Sequence, residues 1–191
     1  MDRYIVISSD CHAGLPGERY RDYLDPQYRE TFDHAYPLQV QKIKAAEKAF
    51  LIQEINDQWR AGIEQQLTGA WDHAERIRML DGDGIAGEII FPDGITEMNT
   101  PPFGAGLSLP TKDIVPELQW AGARAHNRWL AELCAQDPAR HFGVAAIPLL
   151  WDVEEAVREV RRIHASGLRG AMIPNLTGPF PHYHHRRYDP F

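Results

Sequence analysis

The stretch FGVAAIPLLWDVEEAVREVRRIHASGLRGAMIP, residues 142–174, decides the fold. Phe142–Ile147 is a short apolar run closed by Pro148, the pattern of a strand buried on both faces. Val153, Ala156, Val157, Val160 and Ile163 then recur at helical spacing, which predicts a helix over Val153–Ser166 ended by Gly167. Gly170–Ile173 is a second buried run, followed by Pro174. A strand, a helix and a strand in so short a span form a crossover unit, which makes the two strands parallel and the connection right-handed.

The same alternation extends toward the N-terminus. A long helix is predicted over Pro116–Gln136, with Leu118, Ala121, Ala125 and Trp129 on one side and Asp137-Pro138 as its stop. Glu88–Phe91 reads as a strand, preceded by a helix over Ala70–Leu80 that Gly82 and Gly84 terminate. Tyr4–Ser9 reads as the first strand, buried and β-branched. Residues Leu15–Pro37 look irregular, and a helical insertion at about 38–68 delays the next strand. Ile95–Thr111, broken by Pro101, Pro102 and Pro110, is a long loop. The expectation is an α/β chain with four parallel strands and no boundary or repeat within 1–191. It is either an open sheet or the first half of a barrel, since a closed β/α barrel takes eight strands and about 250 residues.

Composition narrows the function. Lys plus Arg number 20 against 27 Asp plus Glu, a net charge of −7, which excludes the basic face that nucleic acid requires. No apolar run approaches the ~20 residues of a membrane span, and Met1-Asp2-Arg3 leads into a strand without a signal-peptide core. Two cysteines, Cys11 and Cys134, are too few for a disulfide scaffold, so the expected compartment is cytoplasmic. The expected partner is a small-molecule substrate.

Asp10-x-His12 carries the chemistry. Residues two apart on a strand share a face, so both side chains point the same way, with Val6 and Ser8, from the carboxyl end of the first strand. Ligands of parallel sheets gather at that end. A carboxylate beside an imidazole suits a divalent metal, Zn²⁺ first and Mn²⁺ second, against the blander reading of a turn or helix cap. Further donors would come from other strand ends. His182, His184 and His185 form the one histidine cluster, but beside Arg186 and Arg187 they read as a solvated loop, with anion binding as the weaker idea. Asp93 sits at the correct end of the second strand, in a turn dipeptide, whereas Glu88 sits at the wrong end. His126 and Asn127 lie mid-helix, where packing is the expectation, and His164 falls where an imidazolium favours a helix C-terminus. Cys11 points away from its neighbours toward the helix layer, which argues against a Cys–His nucleophile. The five tryptophans, Trp59, Trp71, Trp120, Trp129 and Trp151, are assigned to packing. Gly82-Asp83-Gly84 follows a helix and so is no nucleotide loop, and Gly-x-Ser-x-Gly is absent.

At this point the chain resembles a known family. RYIVISSDCHAGLP (Arg3–Pro16), RIRMLDGDGIAGEIIFP (Arg76–Pro92), AGARAHNRWLAELCAQDPARHFGVAAIPL (Ala121–Leu149), VEEAVREVRRIHASGLRGAMIPN (Val153–Asn175) and YDPF (Tyr188–Phe191) resemble, in order, the amidohydrolase-related metal-dependent hydrolases. These are the relatives of aminocarboxymuconate semialdehyde decarboxylase and γ-resorcylate decarboxylase. The resemblance implies the first four β/α units of a TIM (β/α)8 barrel, with the helical insertion after strand 1. It implies Asp10 and His12 as ligands of a Zn²⁺ or Mn²⁺ ion. It also implies a histidine at the fifth strand and an aspartate at the eighth, which have no matching position in this sequence, so no catalytic residue is assigned. The implied activity is hydrolysis of a small carboxylated or cyclic substrate, with non-oxidative decarboxylation as the alternative. A different class of reading is a non-catalytic assembly module. An open half-barrel exposes strand edges and an inner face, so the expectation is a homo-oligomer that buries them or dependence on a missing C-terminal half.

Overall fold

In a computed structural model of the chain, residues 4–92, 99–105, 115–176 and 179–191 are described. Four strands, β1 (Ile7–His12), β2 (Gly87–Phe91), β3 (His141–Ala146) and β4 (Gly170–Met172), lie in the order β1-β2-β3-β4. Every neighbouring pair is parallel. The sheet is an open run of sequential β/α units, and the barrel is not closed. Five helices join or flank the strands: α1 (Pro26–Phe50), α2 (Gln53–Thr68), α3 (His73–Gly82), α4 (Pro116–Ala135) and α5 (Val153–Ala165).

The local chemistry explains most of these boundaries. Asp72 and Asp152 cap α3 and α5, each carboxylate accepting the backbone N–H three residues on, from Glu75 and Glu155, at 2.9 Å. Pro26 and Pro116 sit in the first turns of α1 and α4, where no N–H is needed. α3 and α5 end alike. Gly84 and Gly167 adopt φ of +70° and +90°, and the next residue, Ile85 or Leu168, donates back to Leu80 or Ile163. This Schellman turn needs a residue without Cβ and delivers the chain into β2 and β4.

α4 lies between two layers and is buried on nearly all sides. One face packs Trp129, Leu130 and Leu133 into the main core with Ile90, Ala145, Ile147, Ile163 and Leu168. The other puts Ala121 and Ala125 against Leu24, Tyr28 and Phe32. Asn127, fully buried on α4, brackets the end of β3: its side chain accepts from Ala146 N at 2.8 Å and donates to Ala146 O at 3.1 Å and to Glu159 at 2.8 Å.

Three expectations need correction. Residues 15–37 are not irregular: a 3-10 turn spans Gly17–Tyr23, and α1 starts at Pro26 and runs through Pro37, so the helical segment begins well before 38. Tyr28, Phe32 and Tyr36 recur every fourth residue and anchor it, with the Phe32 and Tyr36 rings stacked at 5.2 Å. The first strand lies at Ile7–His12 rather than Tyr4–Ser9, and it is not buried: Tyr4 and Ile5 are 95% and 81% exposed. β1 has no neighbour on its far side among the described residues, so apolar character there does not report burial. Trp59 is half exposed, unlike the buried Trp120 and Trp129. Among the described residues no helix is long and apolar enough to cross a membrane.

Candidate functional site

β1 carries a one-residue bulge. Ser8 pairs with Glu88 and Cys11 with Ile90, so three steps on β1 match two on β2. The bulge puts Ser8 and Cys11 on one side, where the Cys11 thiol donates to the Ser8 hydroxyl at 3.0 Å. Ser8 therefore does not share the face of Asp10 and His12, as plain alternation predicts. Cys11 does turn away from its neighbours. Burial first, and then the Glu88 carboxylate, push its thiol pKa up, so it is a packing thiol rather than a nucleophile.

Asp10 and His12 come together at the carboxyl end of β1. His12 Nε2 and Asp10 Oδ1 are 3.5 Å apart, with Asp10 well exposed and His12 about one-third exposed. That separation is long for a hydrogen bond. It matches two ligands of one cation: bonds of about 2.1 Å at a tetrahedral angle place the donors about 3.4 Å apart. His12 Nδ1 is buried without a hydrogen-bond partner. The donor set, one carboxylate and one imidazole, fits a divalent ion. It is two donors of the three a catalytic metal needs, because among the described residues no group of three His, Cys, Asp or Glu is placed to hold a metal.

The underside of β1 is held by a buried charge cluster. Arg76 of α3 forms a two-pronged pair with Glu88 at 2.6 and 2.8 Å and donates from Nη1 to Gly69 O at 2.9 Å and to His12 O at 3.2 Å. His141 Nδ1 lies 2.8 Å from Glu88, and His141 Nε2 lies 3.2 Å from His73. Burial drives the Glu88 carboxyl upward, but the bonds from His141 and Arg76 outweigh it and hold its pKa at about 2. Arg76 thus ties a helix, two strands and the backbone of His12 together. Neither Arg76 nor His141 stood out in the sequence. The available signal was Glu88 itself, since a lone acid in the run Glu88–Phe91 must be paired if that run is buried.

The other candidates separate cleanly. Glu88 belongs to this cluster and not to the open end of the sheet. His126 and Asn127 are buried, as packing requires. The Tyr20 hydroxyl is 2.8 Å from His126 Nδ1, and burial lowers the His126 pKa to about 3. His164 is exposed in the last turn of α5. His182 and His184 stack with their rings 5.6 Å apart and nearly parallel, so their in-plane lone pairs do not converge on one ion. His185 Nδ1 accepts the Arg187 N–H at 3.1 Å. Asp93 and most of the 95–111 loop lie outside the described residues.

Two cavities bear on ligand binding. The larger, about 570 Å³, opens between β1 and α3 along Ser8, Cys11, Met79 and Leu80 and reaches His12 at the end of β1. A smaller one, about 160 Å³, lies at the carboxyl ends of β3 and β4, between Gln119, Ile147, Met172 and Asn175. The second is where parallel β/α folds hold ligands.

The fold defined by these observations is one half of a β/α barrel. Residues 110–191, less than half of the chain, match the family model described as Amidohydrolase, in keeping with the resemblance drawn from that part of the sequence. No curated protein matches the chain. Solved structures with this fold include a dihydroxybenzoic acid decarboxylase from Polaromonas sp. JS666 with bound manganese and the inhibitor 2-nitroresorcinol. It is 18% identical at a TM-score of 0.51, covering 98% of this chain and 45% of that one. A 2,6-dihydroxybenzoate decarboxylase in complex with 2,6-dihydroxybenzoate is 20% identical at a TM-score of 0.50, covering 98% and 46%. A 2,6-dihydroxybenzoate decarboxylase from Rhizobium is 20% identical at 0.50, covering 98% and 45%. The chain spans less than half the length of these structures.

Proposed function

We propose that this chain supplies the first-strand metal ligands of a metal-dependent amidohydrolase-superfamily enzyme that acts on a small carboxylated or cyclic substrate. The observation that carries the reading is the 3.5 Å spacing of Asp10 Oδ1 and His12 Nε2 at the carboxyl end of β1. Asp10 and His12 would hold a divalent cation, Zn²⁺ or Mn²⁺, which when bound polarises a substrate oxygen or lowers the pKa of water toward neutrality. Arg76 keeps the His12 backbone fixed through its carbonyl, so the imidazole is presented at a set angle. The pocket between Gln119, Ile147, Met172 and Asn175 opens on the same end of the sheet as a place for the organic part of a substrate.

Non-oxidative decarboxylation is the second reading, favoured by the dihydroxybenzoate decarboxylases among the structural relatives. Metal content separates the site from a merely structural turn. After dialysis against Mn²⁺ or Zn²⁺, the chain retains the ion, and Asp10→Asn and His12→Ala each lower retention at least tenfold. Equal metal content in the parent and both variants refutes the assignment. Incubation of the Mn²⁺-loaded protein with 2,6-dihydroxybenzoate, following CO₂ release, then tests the second reading directly.

A further inference from the structure

The cavity at the carboxyl ends of β3 and β4 is lined by a buried amide, that of Gln119 near the start of α4. Gln119 is only 3% exposed, and both ends of its amide are engaged. Its Oε1 accepts the indole N–H of Trp151, and its Nε2 donates to Gly104 O at 3.1 Å. An indole N–H only donates and a carbonyl only accepts, so these partners fix which end of the amide is which. Both partners are themselves held. The Trp151 ring meets Phe180 edge-on with centroids 5.3 Å apart, and the turn Pro102–Gly104 packs on α4.

An amide nitrogen carries two N–H groups, and Gly104 O takes one of them. The other has no acceptor among the described residues, although the side chain is cut off from bulk water. A buried donor without a partner is costly, and the cavity that Gln119 lines is where an acceptor can be supplied. The rest of the lining says which kind. Ile147, Met172 and Ile173 form an apolar wall, and no described lining residue is ionisable. A carboxylate placed there would lose its hydration and gain no counter-charge. The volume, about 160 Å³, is close to that of an apolar cavity of ~150 Å³ that takes one benzene ring. A water is the poorer occupant: a buried water makes about three hydrogen bonds, and the other polar side chain on the described lining, Asn175, is exposed.

We propose that Gln119 is a specificity-determining residue whose second N–H selects a six-membered ring presenting an uncharged hydrogen-bond acceptor, while the apolar wall turns a charged group away. This rests on the reading that the pocket holds the organic part of a substrate, and it adds what that part must present. A ring without the acceptor leaves the N–H unpaired and is discriminated against for that reason.

Titration of the chelator-treated chain with benzene, pyridine and benzoate, followed by nuclear magnetic resonance, tests it. Benzene and pyridine share one shape, and at neutral pH pyridine is uncharged and differs by its acceptor nitrogen. The preference for pyridine over benzene is roughly three- to tenfold greater in the parent than in Gln119→Met, the factor of one net hydrogen bond. Benzene binds both proteins alike, which shows that the variant keeps its pocket. In the parent, pyridine but not benzene moves one Gln119 side-chain N–H resonance downfield, a readout that needs no variant. Benzoate binds roughly tenfold or more weakly than pyridine. The same preference in parent and Gln119→Met overturns the proposal, as does a parent that binds neither ring, or one that binds benzoate as tightly as pyridine. Because no metal is present, each of these failures leaves the assignment of Asp10 and His12 standing. Equal metal retention in Asp10→Asn and His12→Ala, in turn, leaves the pyridine result standing.

Discussion

Replacing Glu88 by Gln removes the charge that Arg76 and His141 are built around. The Glu88 side chain is 1% exposed and Arg76 7%, so the guanidinium that remains has no water to turn to. Two routes give the cost. The carboxyl is held at about 2 instead of 4.5, a difference of about 2.5 pH units or about 3 kcal/mol. Breaking one side of a buried ion pair costs about 3–5 kcal/mol. The folded protein takes up this proton less readily than the unfolded chain. The contribution is therefore complete above about pH 5, shrinks as the pH falls below 4.5, and is lost on passing through pH 2. Urea unfolding followed by circular dichroism, repeated across this range, should show Glu88→Gln about 3 kcal/mol less stable at pH 7. The variant should also show a shallower acid-dependent decline between pH 5 and 2, because the part due to Glu88 is gone. A loss below about 1 kcal/mol, or the same pH slope in parent and variant, would refute the claim that this cluster fastens α3 to β1 and β2.

Other parts of the molecule make further predictions. His126 is held neutral by burial with its pKa at about 3, so unfolding, which frees it to protonate, gains on folding as the pH drops from 6.5 toward 3. His126→Asn keeps an acceptor for the Tyr20 hydroxyl and removes the titration, so it should flatten the stability curve over that interval in thermal melts. Asn127→Ala leaves the buried amide and carbonyl of Ala146 unpaired and should cost about 2–3 kcal/mol in urea unfolding. Gly167→Ala forces a Cβ onto φ +90° and should cost about 1–2 kcal/mol, while Ala165→Gly, two residues earlier at the end of α5, should cost at most about 1 kcal/mol; melting temperatures compare the two.

How far the sequence foretold this depends on whether the signal is local. α3 and α5 announce themselves through Asp72-x-x-Glu75 and Asp152-x-x-Glu155 at their starts and through Gly84 and Gly167 past their ends. β2 to β4 are short apolar runs between such signals. β1 is displaced by three residues because its apolar start, Tyr4–Val6, is an exposed edge, and hydropathy alone does not distinguish the two. α1 escapes because Pro26 and Pro37 look like breakers, although the first is a favourable helix start and the second is outweighed by the Tyr28–Phe32–Tyr36 anchor. The pairing of Asp10 with His12 follows from two-residue periodicity. The bulge at Ser8–Cys11 and the Arg76–Glu88–His141 cluster depend on partners far away in the chain, which no local pattern announces.

The extra residue in β1 also governs how the strand can move. A slide of β1 along β2 by a single position would turn Asp10 toward the Glu88 carboxylate, setting like charges together in a dry layer, and would strand the carbonyl that Arg76 grips. Slippage is thus penalised electrostatically as well as by packing. The two faces of the strand answer to different surroundings: Ser8 and Cys11 face the helices behind them, while Asp10 is exposed and the His12 ring lies 6.2 Å from that of Phe91.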